Sequence, residues 1–322
     1  MEGSSDRECD TTLNKANAIV QGIMKKIKPT IDGKRRRDTV LRYVRHKVQS
    51  IDKSLLVSAY GSWPLRTFLP KSDVDIVVIG NIGLQDIKHV FEEDSEFRNV
   101  ITHGSGTDAE ILRFFVGRMQ VDLCVNHDDG LASNLFMEMV NRIFMRNNLF
   151  KESILLVKAW SSIEAKILAP GLLTSYSIQV MVMHVLLNLP GKNVTPFEVF
   201  KRFLETYSRF DWDKLAMGRR GVIKLYEVND LQTAYTGHPE FDLLTPCLEY
   251  CASETNSGKP PVCKKDGFVK ADMNIIDPIN RFKNLAYKVT RPRLKKGDYK
   301  VNKPDNMRSN EKTRASNDMP GG

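Results

Sequence analysis

Apolar residues recur along this chain at two different periods, and the change of period divides it. From Thr11 to about position 50 the spacing is helical, with Ile19, Ile23 and Ile27 in one stripe and Val40, Val44 and Val48 in another. Lys28-Pro29 interrupts the run, so two helices with a break between them are expected. Positions 55–60 and 74–79 read as strands, and 84–93 as a helix with Ile87, Val90 and Phe91 on one side. Residues 109–116 and 119–125 read as a hairpin around Gly117-Arg118. After Asn126 the helical period returns and persists. Helices are expected at 131–146, at 149–167 (broken by Pro170-Gly171) and at 174–189, where Pro190-Gly191 ends the run. A further helix opens at Pro196 with Thr195 as its cap. Positions 210–242 read as a long connection, 253–261 as a loop and 273–278 as a short extended segment.

This pattern implies an α/β fold in two domains. A small mixed β-sheet unit with helices spans 51–147, and a mainly helical central unit spans 148–290. The helices of 11–50 are expected to pack on the central unit. Residues 1–10 are expected to be disordered, and 291–322 a basic disordered tail.

Composition adds limits. Of 322 residues, 41% are hydrophobic, enough for real cores. No run reaches the ~18 uncharged apolar residues of a membrane span. The polar, acidic start lacks the marks of a secretory or transit segment, so an intracellular protein of cytoplasm or nucleus is expected, with no membrane partner. Five scattered cysteines suit a reducing compartment. Cys247, Cys251 and Cys263 raise a zinc reading, but beyond His238 no fourth ligand offers itself, and the reading is not favoured. The net charge of +9 points to a polyanionic partner. It concentrates in Lys34-Arg35-Arg36-Arg37 and in 291–322, which carries nine Lys/Arg against four Asp/Glu.

The candidate chemistry sits at Tyr60-Gly61-Ser62 and Ser72-Asp73-Val74-Asp75. Asp73 and Asp75 are two apart, so on a strand they share a face while Val74, Ile76 and Val78 face a core. Adjacent carboxylates repel unless a cation lies between them. Mg2+ suits such a place because it takes carboxylate oxygens and keeps positions for substrate phosphates. Gly61 and Ser62, a short loop upstream, are where backbone N–H groups could close on a phosphate.

Asp-x-Asp alone is a common solvated strand edge. Gly61-Ser62 followed about ten residues later by Leu69-Pro70-Lys71-Ser72-Asp73-x-Asp75 inside an apolar run is far rarer. It resembles the active-site signature of the DNA polymerase β-like nucleotidyltransferases. Ile154-Leu-Leu-Val-Lys158-Ala-Trp160, Gly171-Leu-Leu-Thr-Ser175-Tyr176 and Asn274-Ile-Ile-Asp277-Pro278 follow in order. Across about 50–290 the chain looks like the terminal nucleotidyltransferases that add A or U to RNA 3′ ends. The resemblance implies an active site in the cleft between the two domains. It implies a third metal carboxylate, which Asp122 in Val121-Asp122-Leu123 fits, and two Mg2+ (or Mn2+) ions. Lys158 then offers charge to the β- and γ-phosphates, Ser175 a hydroxyl at a helix start, and Tyr176 a ring to stack on the base.

The chain departs from that pattern in places. Ser162 stands where the family often has a second lysine, and Tyr287 where an arginine is usual. Uridylyltransferases commonly place Glu and His where this chain has Asn280 and Lys283, behind Asp277. ATP is therefore favoured over UTP. The expected activity is template-independent transfer of AMP from ATP to an RNA 3′-hydroxyl. The alternatives are a uridylyltransferase, a 2′-5′-oligoadenylate synthetase-like enzyme and an inactive RNA-binding scaffold. No RNA-recognition module is visible in the sequence, so a partner protein is the expected source of RNA choice.

Overall fold

The computed structural model describes residues 3–104, 110–144, 148–163, 173–189, 194–218, 221–229 and 267–290, with side chains from Leu13 onward. The zinc candidates Cys247, Cys251, Cys263 and His238, the loop 253–261 and the tail 291–322 lie outside the described residues.

Helices α1 (Gly3–Ile27) and α2 (Ile31–Ile51) meet at the Lys28-Pro29 break. Thr30 caps α2 by accepting from Gly33 N at 2.9 Å. The helix α1 corrects the expected disorder of residues 1–10, since its backbone is helical from Gly3.

Five strands form one mixed sheet: β1 (Leu56–Tyr60), β2 (Val74–Ile79), β3 (Phe97–His103), β4 (Ile111–Val116) and β5 (Met119–Val125). Their spatial order is β1-β2-β5-β4-β3, with β2 and β5 parallel and the other pairs antiparallel. The helix α3 (Leu84–Glu92) supplies part of the crossover and buries Leu84, Ile87 and Phe91. Strand β3 has no forerunner in the sequence pattern. It lies at the sheet edge and buries only Phe97, so no alternation marks it.

Helices α4 (Asp129–Ile143), α5 (Leu149–Ile163), α6 (Ser175–Leu187) and α7 (Pro196–Ser208) build a second core. Both α6 and α7 begin with capping boxes, on Thr174 and Thr195. The expected long connection from 210 contains a hairpin instead, β6 (Leu215–Gly218) with β7 (Gly221–Lys224). Residue Ile275 bridges to Met217 on β6, so the extended segment at 273–278 leans on that hairpin.

Two expected domain assignments change. The stripe Val40, Val44, Val48 of α2 packs into the sheet core with Val57, Ile76 and Leu123, so only α1 lies against the helical unit. Conversely Phe136, Met137 and Val140 of α4 are buried in the helical core. In both cases the apolar stripe of the helix, not its place in the sequence, sets the unit it joins. The loop between β1 and β2 is pinned on both sides: Trp63 and Phe68 enter the sheet core, Leu65 the helical one.

Candidate active site

The register between parallel strands β2 and β5 sets Asp75 directly beside Asp122. Asp73 stands just before β2. One carboxylate oxygen from each of the three lies within 4.8 Å of the others. Burial, then repulsion from Asp73 and Asp122, pushes the Asp75 carboxyl up to about 8. Burial and the Asp122 charge also raise Asp73. The fold therefore holds three acids together at a cost. An all-oxygen donor set of this kind, its charge only partly relieved by Arg113 and Lys158, fits a hard divalent cation.

Arg113 on β4 faces Asp122 in the β4–β5 hairpin. It makes a two-pronged contact, Nε to Oδ1 at 2.8 Å and Nη2 to Oδ2 at 2.6 Å. Oδ1 also accepts from Gln120 Nε2 at 3.5 Å, while Oδ2 has Arg113 alone and keeps a lone pair for a metal. The signal was present in the sequence, because a turn at Gly117-Arg118 pairs Val116 with Met119 and so Arg113 with Asp122.

Gly61 is required for a reason other than phosphate binding. Its φ is +77°, and a Cβ there would overlap the Asp75 Oδ2. Its N–H donates to Asn134 Oδ1 at 3.0 Å, and is thereby engaged within the protein. Ser62 is buried, and its carbonyl accepts from Thr67 N at 2.9 Å. Lys158 is 2% exposed, not on a solvated face, and its Nζ donates to Thr67 O at 2.9 Å. Burial brings its pKa down to about 8, while Asp73 and Asp75 pull the other way.

Arg37 fixes the end of the same loop. It is 1% exposed, donates to Gly33 O at 3.1 Å and Ser72 O at 2.5 Å, and lies 4.1 Å over the Phe68 ring. The basic block thus divides: Arg37 lies on the buried stripe of Gly33, Val40, Val44 and Val48, while Lys34, Arg35 and Arg36 are exposed. That helical spacing was the signal for it.

The remaining candidates form a second group. Tyr176, the second residue of α6, donates to Asp277 Oδ1 at 3.3 Å. The same oxygen accepts from Ile279 N at 2.9 Å and Asn280 N at 3.3 Å. Burial raises the Asp277 carboxyl, against the pull of Lys283. Lys283 Nζ stands 4.0 Å from Asp277 Oδ2 and 3.6 Å from Asp129 Oδ2. Asn280 Oδ1 accepts from Phe282 N at 3.2 Å. Ser175 is the first residue of α6, beside the Thr174 cap. Two buried amides, Asn274 and Asn284, hold this segment in shape, Asn284 accepting from Ile275 N and Ala286 N.

The first turns of α4 join the two groups. Asn134 holds Gly61, Ser133 shares a hydrogen bond with Tyr176, and Asp129 faces Lys283.

Residues 144–301 match the family model of the PAP/OAS1 substrate-binding domain. The second half of the chain thus carries a PAP/OAS1 substrate-binding domain. Solved structures share the fold. The Cid1 poly(U) polymerase superposes with TM-score 0.64 at 15% identity, covering 87% of this chain and 89% of that one. The polymerase core of the TRAMP RNA surveillance complex gives 0.60 at 16% identity, over 84% and 79% of the two chains. The GLD-2/RNP-8 complex gives 0.56 at 14%, over 66% and 81%. No curated protein sequence matches the chain. No described helix is long and apolar enough to cross a membrane.

Proposed function

We propose that the protein is a template-independent RNA 3′-terminal nucleotidyltransferase that transfers AMP from ATP to an RNA 3′-hydroxyl. The observation that carries this reading is the convergence of Asp73, Asp75 and Asp122 on one point within the family's fold. Those three would hold Mg2+ or Mn2+. A divalent metal bound there supplies acidification of the attacking hydroxyl and neutralisation of charge on the triphosphate.

The chain's own residues do the rest. Arg113 holds the Asp122 carboxylate in one orientation, and Gly61 leaves room for Asp75. Lys158 places a fixed positive charge beside Asp73 and Asp75, where phosphates of a bound nucleotide would meet it. Ser175 opens α6 with a hydroxyl and a positive helix end. Tyr176 offers a ring for the base, its orientation held by Asp277. Water is kept from Lys158 and Asp122 by their burial, which strengthens each charge they present.

ATP is proposed over UTP because Asn280 and Lys283 stand where uridylyltransferases commonly place Glu and His. The Asn280 carbonyl oxygen is engaged by Phe282 N, so its amide offers a donor, which suits adenine N1. An RNA-binding partner is proposed to supply RNA choice, by analogy with the polymerase solved as the GLD-2/RNP-8 complex.

The test is purified protein with Mg2+, an unstructured RNA and each of the four nucleotides separately, then ATP against UTP in one reaction. ATP should be preferred, and Asn280→Glu with Lys283→His should move preference towards UTP about tenfold. A wild-type preference for UTP overturns the base choice alone. RNA ending in a 3′-deoxynucleotide should be inert, and extension of it would favour a 2′-5′ linkage. No incorporation of any nucleotide would leave the scaffold reading.

A further inference from the structure

A groove of about 560 Å3 runs between α2 and the β1 strand with its following loop. Asp73, Asp75 and Asp122 do not line it. Its described lining includes three cations, Lys34, Arg45 and Arg66, and no carboxylate. Arg45 is fixed there, its Nη2 donating to Val57 O at 3.0 Å and its Nε to the same oxygen at 3.3 Å. Arg66 has φ 59°, and this left-handed turn exposes it between the buried Leu65 and Thr67. Lys34 is exposed one turn into α2. Among the described residues neither Lys34 nor Arg66 is in an ion pair.

The groove and the carboxylate site share one loop. Gly61 abuts Asp75, and Lys158 holds Thr67, while Trp63, Arg66 and Phe68 of the same loop form a wall of the groove. A polyanion whose end lies at the carboxylates is thus offered Arg66 a few residues further along the loop, with Lys34 and Arg45 of α2 lining the same groove. Trp63 and Phe68 are buried in the sheet core, so they furnish a wall and not a stacking platform. Recognition there would be of phosphates, without regard to base.

We infer that this groove carries the RNA strand upstream of its 3′ end, with backbone phosphates against Lys34, Arg45 and Arg66. The inference rests on the RNA-tailing reading above and adds a place for the part of the substrate that does not react. It also gives a use to Lys34 of the basic block, which the carboxylate site does not employ.

The experiment uses the full chain with Lys34→Glu and Arg66→Glu together, leaving Arg45 because it ties β1 to α2. Binding of an unstructured RNA of about fifteen nucleotides is measured across a salt series, within the usual range of single-strand site sizes. At low salt the dissociation constant should rise on the order of tenfold, and the salt slope should flatten by about 1.4, or 0.7 per lost phosphate contact. Use of a trinucleotide primer and the nucleotide KM should stay unchanged. Lys34→Gln with Arg66→Gln replaces the reversal if its melting temperature falls. Unchanged RNA affinity in a folded variant overturns the inference, as does loss of nucleotide affinity with RNA affinity intact. Should the wild type tail no RNA with any nucleotide, the functional reading fails by itself and the binding series still decides the groove.

Discussion

Gly61 and Asp75 compete for one volume: a Cβ at position 61 would overlap Asp75 Oδ2. The glycine is what allows the carboxylate to lie against the turn after β1. With φ at +77°, any other residue would add backbone strain as well. Gly61→Ala should therefore displace Asp75 and lower kcat by about a hundredfold, the scale of a 1 Å misplacement. Nucleotide incorporation read beside a melting curve checks it. Retention of half the activity would show the carboxylate to be mobile enough to yield.

Asp75 should make the metal-free protein sensitive to pH. Its carboxyl is pushed up to about 8, from an ordinary value of 3.8. Between those values the folded chain binds the proton and the unfolded chain has lost it. Stability should thus fall as pH rises through that window and remain lowered above it. Asp75→Asn removes the ionisation. In EDTA the variant should melt several degrees above the wild type at pH 8.5 but not at pH 4.5, and it should be inactive. Equal curves at both pH values would mean that the acid repulsion is relieved elsewhere.

Arg113→Lys tests whether the planar fork matters and not just the charge. A lysine keeps the cation but cannot bind both Asp122 oxygens at once. A drop in kcat on the order of tenfold, with nucleotide KM little changed, is expected. Arg113→Ala should cost more, because it also leaves Asp122 buried without its partner. If the lysine variant matches wild type, charge alone is sufficient.

Lys158→Met separates two roles. The lysine holds Thr67 O, so the variant should melt lower. If Lys158 also meets phosphate, kcat/KM should fall by roughly thirtyfold or more, the effect of about 2–3 kcal/mol from a charge-assisted bond. A rise in nucleotide KM identifies the phosphate role. A lower melting temperature with unaltered KM would leave only the loop tether.

Much of this architecture is set by short-range pattern. The alternation at Val74, Ile76 and Val78 marks β2, and the two-residue spacing puts Asp73 and Asp75 on a common side. The threonines at 174 and 195 mark helix starts because their hydroxyls accept from backbone N–H groups three residues on. The strand at 97–103 and the hairpin at 215–224 left no such trace. The first is largely exposed, and the two strands of the second are four residues each, too short to show a period.

The sequence by itself determined which side chains share a face, since spacing of two along a strand, or three to four along a helix, sets the side a residue takes. It also determined the order of helices and most of the sheet. Only the tertiary structure decided what those side chains do to one another. Lys158 and Thr67 are 91 positions apart, Tyr176 and Asp277 are 101 apart, and Arg37 reaches Ser72 across 35. No local period encodes such contacts, because burial of apolar surface from both units brings the segments together and polar groups then pair where it leaves them. For the same reason α2, expected against the helical unit, went to the sheet, and one arginine of a basic run became its internal brace.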